Sequence, residues 1–355
     1  MKKTVLILAA GATLFAVSCK KSSNDNNTTT ATETQVINDF VAKTALPMYQ
    51  DLQDKATSLN TAVNTLNTAP TEANLTAART AWKNIRSTWE QCEGFLIGPV
   101  EDDNYDPNMD TWPVDYNQLD SFVSSSSSFS VETVEGLSQS LRGFHPLEYI
   151  LWGKGGTEDV ASITAKEKQY MVALSQDILN TCTKLNSSWL AAGGNYQSKV
   201  LTAGSGSTVY PKRLDIMLAL VSGMSGICDE VAGGKIKEPF TAIDSNLTES
   251  PFSHNSITDF TNNIIGSRAV YLCNFNGQQG LGMSNFVAAK NLDLDNRIKA
   301  KYATAISALG NVTATFEVAI HTQRTQLQTA MDAIADLQAT LDGDLKTFVQ
   351  TYVKD

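Results

Sequence analysis

The chain has 355 residues, with 27 basic and 37 acidic side chains and a formal net charge of −10 at pH 7. A chain of this length can bury a substantial core and is long enough for about two domains. Its acidic balance does not favour binding to nucleic acid or to an anionic membrane surface through bulk charge. Any function therefore has to come from particular segments of the chain.

The first eighteen residues have the pattern of an export signal. Lys2 and Lys3 precede an apolar run over residues 5–17, which is shorter than the roughly 20 residues of a membrane-spanning helix. The following Ser18-Cys19 resembles a bacterial lipobox, in which the cysteine becomes the acylated first residue; an ordinary signal peptide with an incidental cysteine is the alternative. The pattern predicts a signal peptide over residues 1–18 and a lipid-anchored protein of the cell envelope. It would be attached to the outer membrane, on the periplasmic side or at the surface.

Residues 19–34 consist mainly of Ser, Asn, Asp and Thr. Such a segment cannot bury a core, and it predicts a flexible tether between the lipid and the folded body. We identify no second apolar run of membrane-spanning length, which predicts that the body lies outside the membrane.

Four cysteines remain after Cys19, at positions 92, 182, 228 and 273. Their even number permits disulfides in an oxidising compartment. However, each lies in an apolar, helix-like context, which favours buried free thiols. No CxxC pair is present in the sequence, so a cysteine zinc site is not expected.

The rest of the chain repeats apolar residues at helical spacing, and alternating strand patterns are scarce. It predicts an all-α fold of two antiparallel helical-bundle domains, over residues 35–195 and 196–355. A loose similarity between the two halves is compatible with an internal duplication. The predicted helices cover residues 36–66 with a kink at Pro47, 71–97 with Thr71 as N-cap, 132–141, 147–152, 166–192, 212–232, 256–274, 285–309 and 312–353.

The most unusual segment is residues 142–153, which contains His145, one of three histidines in the chain. Proline is tolerated at the first position of a helix, so Pro146 predicts a helix that begins there with His145 as N-cap. Glu148 then lies three residues after His145, and the two side chains can share one ion or one proton. The alternative is purely structural, because an acid in the first turn also stabilises a helix.

The segment Gly143-Phe144-His145-Pro146-Leu147-Glu148 resembles the GxHxxE motif of the imelysin family, also classified as peptidase family M75. This family includes iron-regulated lipoproteins and an iron-uptake component of the cell envelope. Pro146 departs from the small or aliphatic residue that is common at that position. The resemblance extends over about residues 36–350 and is also carried by Trp82, Arg86, Trp89, Glu93, Gly98-Pro99, Trp112-Pro113, residues 249–255, Asp259, Asn262, Gly266 and Tyr271.

The resemblance implies a two-domain helical fold with the motif facing the domain interface, and a role in uptake of iron or another metal. Possible partners are then envelope iron-transport components. Imidazole and carboxylate ligands suit a divalent or ferric ion such as iron or zinc. The candidate ligands are His145, Glu148, Glu93 and Asp259. The candidate supporting residues are Arg86, Trp89, Trp112, Ser253, His254, Arg268 and Tyr271.

Three functions follow from these residues. The first is a module that binds a metal or metal-bearing ligand between the domains. The second is a metal-dependent peptidase, with His254 or Glu93 as a third ligand and another acid to activate water; its catalytic residues cannot be assigned from the sequence. The third is a scaffold lipoprotein in which the tryptophans only pack. A nucleotide site is not expected, because Gly280-Leu281-Gly282 lacks the preceding strand that a dinucleotide loop requires.

Overall fold

A computed structural model describes residues 32–354 of the chain. The predicted signal peptide, the lipid site at Cys19 and nearly all of the tether lie outside the described residues. Within them, the regular secondary structure is helical except for one antiparallel pair of two-residue strands, β1 (Asn274–Phe275) and β2 (Gln278–Gln279). The predicted all-α class is therefore confirmed.

The described part of the chain contains eighteen α-helices, together with short 3₁₀ segments (Glu93–Phe95, Gln139–Leu141, Ser245–Leu247) and π-helical segments (Val41–Ala45, Glu230–Ile236, Leu341–Leu345). The α-helices are α1 (Glu33–Phe40), α2 (Leu46–Thr68), α3 (Glu72–Cys92), α4 (Pro99–Asp102), α5 (Tyr105–Asp110), α6 (Tyr116–Ser125), α7 (Val131–Glu135), α8 (Phe144–Trp152), α9 (Ala165–Trp189), α10 (Tyr196–Leu201), α11 (Arg213–Asp229), α12 (Lys237–Ala242), α13 (Ser256–Leu272), α14 (Met283–Ala288), α15 (Leu292–Gly310), α16 (Phe316–Thr322), α17 (Arg324–Thr340) and α18 (Lys346–Tyr352).

Local signals explain several helix boundaries. The Thr71 hydroxyl accepts a hydrogen bond from the Asn74 amide at 3.2 Å, so the predicted N-cap is confirmed. The π segment Val41–Ala45 lies just before Pro47, whose missing N–H disturbs the regular ladder of helical hydrogen bonds. The helix from Thr71 was predicted to reach Ile97, but it gives way to a 3₁₀ turn after Cys92.

The helices form two groups that share one apolar core. In the first half of the chain α2 packs against α3 and α9, and in the second half α11, α13, α15 and α17 pack together. Helix α3 also packs against α13, which joins the two groups. Glycine makes this approach possible, because a Cβ at Gly266 would lie 2.2 Å from the Gln91 carbonyl oxygen. The predicted boundary after residue 195 falls where α10 begins, and it stays a prediction.

The expectation of no second long apolar run was wrong. The continuous helical stretch Arg213–Ala242 is long and apolar enough to span a membrane, by length and composition alone. More than half of its most apolar window is buried, and it packs on α13 and α17. Its apolar character is therefore explained by its central place in the core, where a helix is apolar around most of its circumference.

The four cysteines of the described chain are buried free thiols, Cys92, Cys182, Cys228 and Cys273. This confirms the interpretation drawn from their apolar helical context. Burial raises the pKa of the Cys228 thiol to about 12, which disfavours its reactive thiolate form.

Candidate functional site

The GxHxxE motif forms the buried start of α8. Gly143 has φ +87°, and a Cβ there would lie 2.1 Å from the Met109 carbonyl oxygen, so only glycine fits. Gly143 is the N-cap, which makes His145 the second helical residue and Pro146 the third. The prediction of His145 as N-cap was wrong by two positions. Proline is tolerated in any case, because amides of the first turn have no partner within the helix.

His145 joins two carboxylates. Its Nε2 lies 3.0 Å from Asp110 Oδ1, and its Nδ1 lies 3.5 Å from Glu148 Oε2. Burial opposes the charged imidazole, but hydrogen bonds to Asp110 and Glu148 outweigh it and raise the pKa of His145 to about 9. For Asp110, burial is outweighed by Arg86 and His145, which hold the pKa of that carboxyl well below its usual range. The metal-free pair is thus an imidazolium beside a carboxylate.

Glu148 connects α8 to the segment that precedes α13. Its Oε1 accepts hydrogen bonds from the Ser253 hydroxyl at 2.7 Å, the Ser253 amide at 2.8 Å and the Phe252 amide at 3.2 Å. Its Oε2 faces His145. One oxygen is therefore committed to holding the two parts of the chain together, while the other orients the imidazole. The prediction that Glu148 is a metal ligand stays a prediction.

Arg86 lies at the centre of the cluster and is fully buried. Its guanidinium contacts Asp110, Glu90 and Glu249, the last at 2.8 Å, and its Nε lies 3.8 Å from Asp259. Burial opposes its charge, but the four carboxylates outweigh it and raise the pKa of Arg86 well above its ordinary value. A buried cation this well paired keeps several acids together in the interior of the protein.

Lys235 is the second buried cation. Its Nζ lies 3.0 Å from Glu249, 3.4 Å from Glu93 and 3.6 Å from both Glu90 and Glu230. The side chain of Lys235 is only 1% exposed. The sequence analysis did not identify this residue, because its segment has no local motif.

The buried carboxyls outnumber these cations. Burial raises the pKa of Glu93 and Asp259 well above their usual range, and it raises the pKa of Glu249 to about 7. Hydrogen bonds hold their orientation: the Asn263 amide donates to Glu93 at 2.5 Å, and the Ser250 hydroxyl donates to Asp259 at 2.7 Å. The cluster therefore has more carboxyl groups than Arg86 and Lys235 can neutralise, and protonation of some carboxyls reduces the excess negative charge.

Two sets of side chains in the described structure could hold a metal ion. In each set, one ligand atom per residue lies within 4.8 Å of the others. The first set is Asp110, His145 and Glu249, and the second is Glu90, Glu93 and Asp110. Glu249 Oε2 is buried and lacks a hydrogen-bond partner, so one oxygen of the first set is available for an ion.

The predicted residues divide between this cluster and other places. His145, Glu148, Glu93, Asp259, Arg86 and Ser253 are in the cluster, and Trp89 donates to Asp110 at 2.6 Å. His254 is exposed and pairs with Glu317 at 2.9 Å, while Tyr271 donates to Asp295 at 2.9 Å. Trp112 and Arg268 are half-buried and make none of the contacts described above.

The sequence analysis missed Asp110, Glu90, Glu249, Lys235 and Asn263 as site residues. Glu90 had a weak signal, since it follows Arg86 by one helical turn. Glu249 begins the segment quoted for the family resemblance, but it was not singled out. Asp110 lies between the predicted helices over residues 71–97 and 132–141, where no helix was expected, and it ends α5.

Comparison with known proteins places this chain in a family. The family model for imelysin (peptidase family M75) matches residues 45–341. The chain is 32% identical over 325 residues to iron-regulated protein A of Synechococcus elongatus, a match that spans 89% of this chain and 86% of that protein.

Solved structures agree with this match. A crystal structure of a putative iron-regulated protein A precursor from Parabacteroides distasonis has a TM-score of 0.81 at 26% identity, covering 89% of this chain and 94% of that one. An imelysin-like protein from Psychrobacter arcticus has a TM-score of 0.72 at 12% identity, covering 88% and 94%, and shows the fold alone. The class is thus an all-α protein built around a buried His-carboxylate cluster. The chain belongs to the imelysin family, and two of the relatives described above bear the name iron-regulated protein A.

Proposed function

We propose that the chain binds an iron-type metal ion at Asp110, His145 and Glu249. The observation that carries the proposal is the convergence of one imidazole nitrogen and two carboxylate oxygens within 4.8 Å, at a site where the buried Glu249 Oε2 also lacks a hydrogen-bond partner. Mixed imidazole and carboxylate donors suit ferrous iron, zinc and manganese. The names of the relatives favour iron among these.

The hydrogen bonds indicate how the site would accept an ion. A metal ligand must be a neutral imidazole, so the ion would replace the proton between His145 Nε2 and Asp110. His145 Nδ1 would keep its contact with Glu148, which fixes the ring orientation as carboxylate partners of metal-bound histidines do. Glu148 would then support a ligand without being one.

The same geometry favours binding over peptidase chemistry. His145 is 2% exposed and Glu249 is 1% exposed, so a peptide bond has no direct path to them in this conformation. His254, a candidate third ligand for a peptidase, is engaged with Glu317 on the surface.

The proposal includes the cell envelope as the site of action. The lipobox-like sequence at Cys19 and the polar segment that follows support a lipid-anchored protein whose body holds the ion. Envelope iron-transport components are the proposed partners.

Isothermal titration with anaerobic Fe²⁺, Mn²⁺ and Zn²⁺ tests the metal site. The protein would be the chain from residue 19 with Cys19→Ser, which cannot be acylated. We expect saturable binding that is lost in His145→Ala and Asp110→Asn, with Fe²⁺ among the bound ions. The matched control, His254→Ala, should bind like the parent. No binding to any of the ions, or unchanged binding in both cluster variants with native circular dichroism, would overturn the proposal.

A further inference from the structure

The Lys235 ammonium lies among the carboxylates that could hold a metal ion. Its ammonium contacts Glu249 of one possible metal-binding set and both Glu90 and Glu93 of the other. A metal ion bound by these carboxylates would therefore compete with the ammonium, because the two cations share the same carboxylate groups. At 3–4 Å in a buried site the repulsion between two cations is large compared with that in water.

A cavity lies beside two of the acids that contact Lys235. Its volume is about 430 Å³, and its wall includes Glu93, Glu101 and Glu230. The Glu93 side chain is 4% exposed, whereas that of Glu230 is 49% exposed. Lys235 contacts both of these acids, one deeply buried and one half-exposed, although it does not itself line the cavity.

The backbone explains why Lys235 and Glu230 can meet. Both belong to the π-helical segment Glu230–Ile236. In an α-helix, residues five apart point about 140° away from each other around the axis. A π turn, closed by hydrogen bonds between residues five apart, instead places them about one turn apart on the same side. Such turns are frequent at functional sites.

We propose that Lys235 is a tethered cation that fills the carboxylate site in the metal-free protein and turns towards Glu230 when a metal ion enters through the acidic cavity. The inference rests on the proposed function and deepens it, because it identifies the access route and a residue that selects among cations. Glu230 makes the displacement feasible, since the ammonium leaves three buried acids without losing its last carboxylate partner. Monovalent cations gain too little from the exchange to displace it, whereas a divalent or ferric ion adds charge to an acid-rich cluster.

Chemical labelling of the folded wild-type chain tests the movement. Lysines would be acetylated with an N-hydroxysuccinimide ester, with and without saturating Mn²⁺, and quantified by mass spectrometry. Without the metal, the buried Lys235 should be protected, while Lys154, which is 67% exposed, should react. With Mn²⁺, acetylation of Lys235 should rise and that of Lys154 should not change.

Titration of two variants tests the competition. Lys235→Met should bind Mn²⁺ more tightly by roughly 5- to 150-fold, the usual range for coupling between two bound groups. Lys237→Met removes an exposed lysine from the neighbouring helix and should bind like wild type. If Lys235→Met fails to fold, the labelling of the wild-type chain still tests whether Lys235 moves when the metal binds.

The outcomes separate this inference from the proposed function. Wild-type binding of Mn²⁺ with Lys235 protected throughout, or with no gain of affinity in Lys235→Met, would overturn only the role of Lys235. Binding by Lys235→Met alone would support the competition strongly. Absence of binding in both proteins would overturn the metal site and this inference together.

Discussion

The clearest structural prediction concerns the hydrogen bonds that Glu148 accepts from Phe252 and Ser253. Replacing Glu148 with Ala removes the acceptor of the Ser253 amide, the Ser253 hydroxyl and the Phe252 amide. The hydroxyl can rotate to another acceptor, but the amides cannot. A buried donor left without a partner costs about 1–3 kcal/mol. Ser253 is buried and Phe252 half-buried, so we expect a loss of roughly 2–4 kcal/mol in the free energy of unfolding, out of about 5–15 kcal/mol for a typical protein.

Glu148→Gln distinguishes the effect of the three hydrogen bonds to Glu148 Oε1 from the effect of the negative charge. The amide oxygen of Gln can accept the same three hydrogen bonds, whereas its NH2 group cannot accept from the His145 imidazolium, so the loss should be smaller than that of Ala. Its weaker hydrogen bonds are offset by a smaller cost of burying a neutral group. The metal affinity should still fall by about 10- to 100-fold, as expected for loss of a carboxylate that orients a ligating histidine.

Urea unfolding followed by circular dichroism measures both variants. Asp344→Ala is a suitable control, because it removes an exposed ion pair with Arg297 and should cost no more than about 1 kcal/mol. The reasoning would be refuted if Gln were as destabilising as Ala at position 148, or if Ala cost less than about 1 kcal/mol.

Three further predictions concern the charged cluster and the packing that supports it. Arg86→Met should lower the free energy of unfolding by about 3–5 kcal/mol, because it leaves buried carboxylates without their cation. Urea unfolding should show a smaller loss at pH 5 than at pH 8, because at pH 5 those carboxyls take up protons. An equal loss at both pH values would contradict this. In the metal-free protein, His145 has a folded pKa of about 9 against 6.5 when unfolded, so its contribution of about 3 kcal/mol is complete below pH 6.5 and is lost as the pH rises to 9. The urea concentration at the midpoint of unfolding should decrease between pH 6 and pH 9, and it should decrease less in His145→Gln. An equally steep decrease in the variant would show that other groups cause it. Gly266→Ala should cost about 1–3 kcal/mol, because its Cβ would overlap the Gln91 backbone and separate α3 from α13. Gly226→Ala, in open space on α11, should instead stabilise by about 0.5–1 kcal/mol, and similar unfolding curves for the two glycine variants would argue against the close approach.

Much of the local structure could be read from the sequence. Apolar spacing and cap residues such as Thr71 specify helices through contacts within one or two turns, so the all-α class and most helix positions were predictable. The short helices between residues 98 and 113 were not, because their polar residues carry turn signals and only packing selects a helix there.

The candidate site could be predicted only in part. The GxHxxE residues are adjacent in the chain, so His145 and Glu148 were recognisable, and the family resemblance pointed to Glu93 and Asp259. Asp110 had no comparable signal, since its role depends on the approach of α5 to α8 and α3.

The sequence by itself determined the helical class, the family and the position of the motif. These follow from periodic spacing and from residues close together in the chain. Only the tertiary structure decided which acids surround His145, because Glu249 and Lys235 come from segments about a hundred residues away. It also decided what holds Glu148 Oε1, since the donors at positions 252 and 253 become its neighbours only when the two halves of the chain pack together.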